Sequence, residues 1–365
     1  MPRVLYLLNF AGRGGSERYI QTLVEELSGA GMEPYFACNE AGPLLDWMRG
    51  RGIPCRQLTM RSPCDPAAVR ALAALCREWK IDVIHTHYLR ENYIALLSRL
   101  LYRKPRVIYT YHILTENSLP LRLSNRLLSG LQEKMIANCT AGRERLIANG
   151  NPAGKIVLIP NAVDLDLWRS GDGAALRREL GIPPEVFTLL FAARITAGKG
   201  HRFLLEALAA LRDRDFRLIL AGEGELREET EEACRSLGLT EKVIFAGFRE
   251  DMPDLYAAAD VTVCPSESET LSFLLLESMA AGTPVIATRA GGMTDIVTEE
   301  HDCGLPVEYG DRAALAGAVE KLMDDPALRA RFARGARRTA EREYDLHEAA
   351  RRVLALYMLS LVEGA

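Results

Sequence analysis

Ser266-Glu267-Ser268-Glu269-Thr270-Leu271-Ser272-Phe273-Leu274-Leu275-Leu276-Glu277-Ser278-Met279-Ala280-Ala281-Gly282-Thr283-Pro284-Val285-Ile286-Ala287 holds a polar loop, a helical run and a strand in immediate succession. The apolar run ending at Cys264 reads as a buried strand, and a polar loop follows it. A helix is expected to begin near Leu271 or Ser272, to carry Glu277 two turns in, and to stop at Gly282, where glycine relaxes the last turn. Pro284 then opens a second apolar strand. Strand, helix and strand in so short a span, with both strands apolar throughout, make a βαβ unit of a parallel sheet covered on both faces.

The same rhythm extends in both directions. Upstream, apolar runs at Val4–Leu8, Pro34–Cys38, Val83–His85, Val107–Thr110, Lys134–Asn138 and Ile156–Ile159 alternate with amphipathic stretches such as Ser16–Ala30 and Ala67–Trp79. The pattern restarts at Thr188–Ala192 and continues through Arg217–Ala221, Lys242–Ala246, Val261–Cys264, Pro284–Ala287 and Gly304–Pro306. Gly171-Asp172-Gly173 and Pro183-Pro184 flank the restart, which puts a domain boundary near 165–187. The expected architecture is α/β: two doubly wound Rossmann-like domains, 1–165 and 166–345, with an interdomain cleft where the carboxyl ends of their strands face each other. Residues 346–365 read as a long amphipathic C-terminal helix, and its period does not decide whether it stays on the second domain or packs back on the first.

Composition narrows the function. With 365 residues, 48% of them hydrophobic and 26% charged, the chain is globular, and no run of apolar residues is long enough to span a membrane. The eight cysteines form no CxxC pair and lie beside no cluster of histidines, so reduced thiols in a cytoplasmic chain are expected and no metal site is. Residues 1–165 carry 21 Lys and Arg against 14 Asp and Glu, whereas the rest carry 24 against 35. A basic half beside an acidic half suggests that one of them meets an anionic substrate or surface. No nucleic-acid-binding pattern accompanies the basic half.

Four motifs carry chemistry. The helix after Glu269 is so apolar that the carboxylate of Glu277 needs a polar partner, and a pair of sugar hydroxyls would serve. The first-turn amides of that helix suit a phosphate. The same spacing also fits a capping role for Glu269 and a structural arginine for Glu277. In Phe191-Ala192-Ala193-Arg194-Ile195-Thr196-Ala197-Gly198-Lys199-Gly200, Arg194 and Lys199 stand at a strand's carboxyl end beside a glycine-rich bend. A guanidinium fork and a mobile ammonium are the usual pair around a diphosphate, although two solvated loop cations would read alike. Asn9-Phe10-Ala11-Gly12-Arg13-Gly14-Gly15 lets backbone approach an anion ahead of the first long helix. It is not the GxGxxG of a dinucleotide fold, which excludes a nicotinamide oxidoreductase. In His85-Thr86-His87-Tyr88, one buried structural histidine explains the pair better than a metal does, and His87 is placed against a sugar hydroxyl. Tyr109-Thr110-Tyr111-His112 ends the next strand and is assigned to the acceptor side. Asp164-Leu165-Asp166 matches the DxD of metal-dependent sugar transferases only superficially.

In order and spacing these motifs resemble the family-4 glycosyltransferases of the GT-B fold, a retaining class with a Glu-x7-Glu signature. The resemblance runs through Gly14-Gly15-Ser16-Glu17-Arg18, Val83-Ile84-His85-Thr86-His87, Ile159-Pro160-Asn161-Ala162-Val163-Asp164, Arg194…Lys199-Gly200, Leu220-Ala221-Gly222-Glu223-Gly224, Ala246-Gly247-Phe248 and Glu269…Glu277. It implies that Glu277 holds the ribose of a nucleotide-sugar donor, a UDP-sugar first among candidates. Glu269 and the amides near Ser272, Phe273 and Leu274 would reach the sugar and the diphosphate. Arg194 and Lys199, helped by the Gly14-Gly15 backbone, would neutralise the leaving group without a metal or other cofactor. Phe248 and Arg249 would lie against the base, and His87 near the sugar's C6 side. Two departures stand out: Thr270-Leu271-Ser272 replaces the usual Gly-Phe-Gly after the first Glu, and Ala162 replaces a Gly.

The implied reaction moves a sugar to a saccharide or glycolipid acceptor, as in envelope assembly. A nucleotide-sugar 2-epimerase of the same fold and a non-catalytic nucleotide-sugar-binding subunit are the alternatives. Arg90, Arg99, Arg103, Lys104 and Arg106, interleaved with Leu96, Leu97, Leu100, Leu101 and Tyr102 and followed by Arg122 and Arg126, suggest peripheral contact with an anionic membrane surface on its inner face. A solvated basic face is the other reading.

Overall fold

A computed structural model describes residues 1–362. The chain divides into two compact units, one holding Met1–Asn161 together with the chain from His347 onward, the other Ala162–Leu346.

The first unit is built on a seven-stranded parallel sheet of β1 (Arg3–Phe10), β2 (Glu33–Glu40), β3 (Cys55–Gln57), β4 (Val83–Thr86), β5 (Arg106–Tyr111), β6 (Lys134–Ala137) and β7 (Ile156–Leu158). Their order is β3-β2-β1-β4-β5-β6-β7. The second unit has a six-stranded parallel sheet of β8 (Phe187–Ala192), β9 (Phe216–Ala221), β10 (Val243–Gly247), β11 (Val261–Cys264), β12 (Val285–Thr288) and β13 (Gly304–Val307), in the order β10-β9-β8-β11-β12-β13. Both sheets are of the doubly wound, Rossmann-like kind. In each the strand order reverses once, between β1 and β4 and between β8 and β11. Chains leaving those two strands turn to opposite faces of the sheet, which opens a crevice at their carboxyl ends.

Burial explains why the central strands were legible. All four residues of β4, β11 and β12 are buried, as a strand sandwiched between two helical layers requires. The strand that pattern reading passes over is β3, where Cys55-Arg56-Gln57 sits at the sheet edge with two of its three residues exposed. An edge strand needs no apolar face, so its sequence does not announce it.

The unit boundary falls after Asn161, ahead of the 165–187 stretch. Gly171 and Gly173 mark close packing there, not a loose linker. A Cβ on Gly171 would stand 2.2 Å from the Pro253 carbonyl oxygen, and one on Gly173 2.2 Å from that of Ala257. Asp164 caps the short helix Leu165–Trp168 by accepting from the amides of Asp166 and Leu167, which gives the DxD-like triplet a local structural role. The C-terminal helix, Leu346–Val362, enters the first unit: its Tyr357 is fully buried against Tyr6 and His85.

Candidate active site

The helix expected after Glu269 spans Phe273–Ala281, with Ser272 as its N-cap and Gly282, at φ +85°, ending it. It starts one or two residues later than its sequence suggests, which puts Glu277 one turn from its start. Ser272 and Leu274 are buried and Phe273 is half-buried. The Ser272 side chain makes no capping hydrogen bond to this helix, whose dipole puts its positive end at Ser272 and Phe273.

Lys199 and Glu269 meet. Lys199 leaves the loop after β8 and Glu269 the loop after β11, the two strands that flank the reversal, and Lys199 Nζ lies 2.6 Å from Glu269 Oε1. Ser266 Oγ donates to the same oxygen at 3.0 Å. The Glu267 amide donates to the Gly198 carbonyl at 2.8 Å, joining the two loops through backbone. Gly200 is required for this approach: it adopts φ +83°, and a Cβ there would sit 2.0 Å from the Pro265 carbonyl oxygen. Arg194, from the same loop as Lys199, is exposed; its carbonyl accepts from the Thr196 amide at 2.9 Å, but its side chain has no hydrogen-bond or ion-pair partner among the described residues.

Glu277 is buried, and the hydroxyl of Tyr256 donates to its Oε2 at 2.6 Å. Sequence reading asked for a polar partner but had no means of finding Tyr256, which lies 21 positions away on the helix Met252–Ala258. Phe248, after β10, is 62% exposed. Beside it the guanidinium of Arg249 is engaged by Asp251 and by Glu179, Nη1 to Oε1 2.8 Å, and these carboxylates push its pKa further up. Its charge is therefore already neutralised, and only its flat face remains to meet a base.

In the first unit, Gly14 caps the first helix, Gly15–Gly29, in an extended conformation, and both glycines are exposed. The carboxylate of Glu17 occupies the first turn, accepting from the Gly12 amide at 3.2 Å and from Ser16 Oγ at 2.8 Å. An anion arriving there would meet that carboxylate as well as the amides, which the glycine motif alone did not disclose.

His87, just beyond β4, is fully buried. Its ring stacks on His85 at 4.6 Å between centroids and on His112 at 5.3 Å, with Nδ1 3.1 Å from His112 Nε2. Its Nε2 is buried with no hydrogen-bond partner. Burial is the main cause that drives all three rings toward the neutral form: His85 falls to about 3, with His112 adding to the effect, His112 falls to about 4, and His87 falls well below its usual value. His87 is thus a neutral hydrogen-bonding group. Alongside, Glu91 is buried with its Oε1 on the Asn9 amide and its Oε2 unpartnered, and burial raises its carboxyl to about 7. No motif pointed to Glu91. No group of three or more His, Cys, Asp or Glu among the described residues is arranged to hold a metal ion.

The basic stretch near residue 100 does not form one face. Arg90 turns inward to Asn9 Oδ1 at 2.9 Å, Arg99 bonds the Leu131 carbonyl, and Arg106 pairs with Glu133 at 3.3 Å. Leu96 is core, whereas Leu100, Leu101, Arg103 and Lys104 are exposed. The exposed apolar stripe is instead Leu119, Leu123 and Leu127, one turn apart on the helix Leu119–Leu128. No helix among the described residues is long and apolar enough to cross a membrane.

Two Rossmann-like domains, each built on a parallel sheet whose strand order reverses once, are the architecture of the GT-B class of glycosyltransferases. The family described as Glycosyltransferase Family 4 matches residues 13–167, and that described as Glycosyl transferases group 1 matches 172–339. D-inositol 3-phosphate glycosyltransferase of Acidothermus cellulolyticus is 32% identical over 81% of this chain and 70% of its own. The 2-deoxystreptamine glucosyltransferase of Streptomyces kanamyceticus is 30% identical over 80% and 81%. The chain belongs to glycosyltransferase family 4 and is an enzyme of that kind. Among solved structures, Anabaena HepE in complex with UDP has a TM-score of 0.87 at 22% identity, covering 97% of this chain and 98% of that one. A glycosyltransferase from Rickettsia africae has a TM-score of 0.89 at 22% identity over 99% and 98%. These two likenesses concern the fold.

Proposed function

We propose that the enzyme transfers a sugar, with retention and without a metal, from a UDP-sugar to a hydroxyl of a saccharide or glycolipid acceptor. The observation that carries this reading is the meeting of Lys199 and Glu269 at the strand reversal, ahead of the helix that bears Glu277. Anabaena HepE, solved with UDP and with UDP-glucose, lends support through its likeness of fold.

As the bond from C1 to the diphosphate breaks, negative charge grows on the leaving oxygen and positive charge on the sugar ring. Lys199, Arg194 and the first-turn amides of the Phe273–Ala281 helix would stabilise the departing charge, a preorganised electrostatic effect. The carboxylate of Glu269, freed as Lys199 turns to phosphate, would hold the sugar, and Glu277 the ribose. The acceptor oxygen bonds C1 on the face that the diphosphate leaves, and its proton passes to a departing phosphate oxygen. His87, kept neutral by burial, would hydrogen-bond a sugar hydroxyl through Nε2.

The test is a panel of nucleotide sugars scored by thermal shift, because a ligand that binds only the folded state raises its stability. The best donor is then assayed for turnover with and without EDTA, on acceptors and alone. A UDP-sugar that stabilises the protein and turns over in EDTA, yielding an α-configured product from an α-configured donor, is the expected result. Stabilisation by no nucleotide sugar, or conversion of the donor alone into its 2-epimer, would overturn it. The stripe of Leu119, Leu123 and Leu127, beside the exposed Arg126, favours a lipid-borne acceptor at an anionic surface. Co-sedimentation with anionic vesicles that Leu123→Glu abolishes is expected, and no binding at low salt would dismiss this part.

A further inference from the structure

The C-terminal helix sends one side chain onto the His85 end of the first unit's histidine stack. The Tyr357 hydroxyl lies 2.6 Å from His85 Nδ1, and Thr110 Oγ1 lies 2.7 Å from His85 Nε2. Both ring nitrogens are thereby engaged from opposite sides, one by the helix Leu346–Val362 and one by β5. Tyr357, His85 and Thr110 are all fully buried, so no water competes for these bonds. His85 in turn forms the platform on which His87 lies, at 4.6 Å between centroids and 29° between planes.

We propose that Tyr357 is a positioning residue for His87, acting through His85. The inference rests on the proposed role of His87 at the transferred sugar. A neutral imidazole carries one proton that can sit on either nitrogen, and the bond at one nitrogen fixes where it resides. The phenol is the more acidic of the two hydroxyls, so in the proposed arrangement it donates to Nδ1, and the proton of His85 stays on Nε2 and goes to Thr110. The ring cannot then flip without leaving a buried nitrogen unpaired, which is costly in so dry a place, and it exchanges tautomers only if both hydroxyls reverse donor and acceptor together. A fixed His85 gives His87 a fixed plane, and with it a fixed direction for the unpartnered Nε2. Residues near the end of the chain thus act on a group that follows β4. Tyr6 is the internal control: its hydroxyl also approaches Tyr357, but at 3.4 Å, and it bonds neither nitrogen of His85.

The experiment compares Tyr357→Phe, Tyr6→Phe and His87→Asn in turnover of the donor identified by thermal shift, with imidazole nitrogen NMR of the full chain as a second readout. Phenylalanine keeps the packing and removes only the hydroxyl. The expected result is a kcat about ten- to a hundredfold lower for Tyr357→Phe with donor KM within about twofold, as for a small misplacement of a reacting group. Tyr6→Phe should stay near wild type. NMR should find His85 protonated on Nε2 alone in the wild type and on a mixture of nitrogens in Tyr357→Phe. Should that variant fail to fold, Thr110→Val removes the partner at the other nitrogen and should give the same kinetic signature. Wild-type kcat in Tyr357→Phe beside a crippled His87→Asn would overturn the inference and leave the proposed function standing. Full activity in His87→Asn would sink the reading on which it rests. An unchanged His85 tautomer in Tyr357→Phe would overturn the inference whatever the kinetics.

Discussion

Lys199 Nζ and Glu269 Oε1 stand 2.6 Å apart, so the cation expected on the diphosphate and the carboxylate expected on the sugar neutralise each other before a donor arrives. Both side chains are mostly buried, which makes the pair stronger than a surface one and its exchange for a ligand a defined event. A donor that brings phosphate and hydroxyls together replaces both partners at once. Free UDP brings phosphate but no transferred sugar, and leaves Glu269 without its ammonium partner.

Opposite behaviour of the two substitutions follows. Lys199→Ala should lower kcat by about 10²–10³, the scale of losing one oxyanion donor. Glu269→Gln should bind UDP several-fold more tightly by calorimetry while turning over the sugar donor more slowly. Weaker UDP binding in Glu269→Gln would show that the carboxylate does not compete with phosphate for Lys199.

Arg194 separates catalysis from stability. It is exposed and bonds no other side chain among the described residues, so Arg194→Ala should leave the melting temperature unchanged. Turnover should nevertheless fall by about 10²–10³. Near-wild-type turnover would remove Arg194 from the leaving-group contacts.

The fold was legible because parallel strands buried on both faces write themselves as apolar runs, and β4, β11 and β12 are buried throughout. β3 was hidden because an edge strand can be polar, as Arg56 and Gln57 are. Of the candidate site, the sequence singles out residues that cluster along the chain, Lys199 with Gly200 and Glu269 with Glu277, and the fold brings Lys199 to Glu269. It was hidden where a partner comes from far along the chain. Tyr256 reaches Glu277 across 21 positions and Tyr357 reaches His85 across 272, and no periodicity encodes such pairs. Glu17 was in plain view, but only coordinates show that its carboxylate takes the Gly12 amide.

The buried histidines and Glu91 give stability an opposed pH dependence. His85 at about 3 and His112 at about 4 bind protons less readily folded than unfolded. Their contribution is complete above the ordinary value of about 6.5 and is lost as pH falls, by about 1.4 kcal/mol per unit for each ring. Glu91, raised to about 7, has the other sign: it holds its proton longer folded than unfolded, and so weakens the fold as pH rises from about 4.5 to 7. Glu91→Gln keeps an acceptor for the Asn9 amide and removes the titration. Denaturant melts at pH 5 and pH 8 should therefore show a larger gain in stability on going to pH 8 in Glu91→Gln than in wild type. An equal gain in the two proteins would mean that Glu91 does not titrate in this range.

Tyr256 tests the buried carboxylate. Tyr256→Phe keeps the ring, which packs edge-on against Trp168 at 5.5 Å, and deletes only the hydroxyl that donates to Glu277 Oε2. A buried acceptor that loses a donor costs about 1–3 kcal/mol, so the denaturation midpoint should fall without a change of slope. UDP affinity should fall several-fold as well, since the carboxylate that is to face the ribose loses the bond that aims it. A loss of stability with unchanged UDP affinity would assign Glu277 to the core and leave the ribose to other groups. Its neighbours argue against that outcome. Leu275, Leu276, Met279 and Ala280 on the same helix are fully buried, and an apolar residue at position 277 would extend that core at no desolvation cost. In the proposed function, a carboxylate in such a place, with a tyrosine to orient it, serves a ligand that needs an acceptor there.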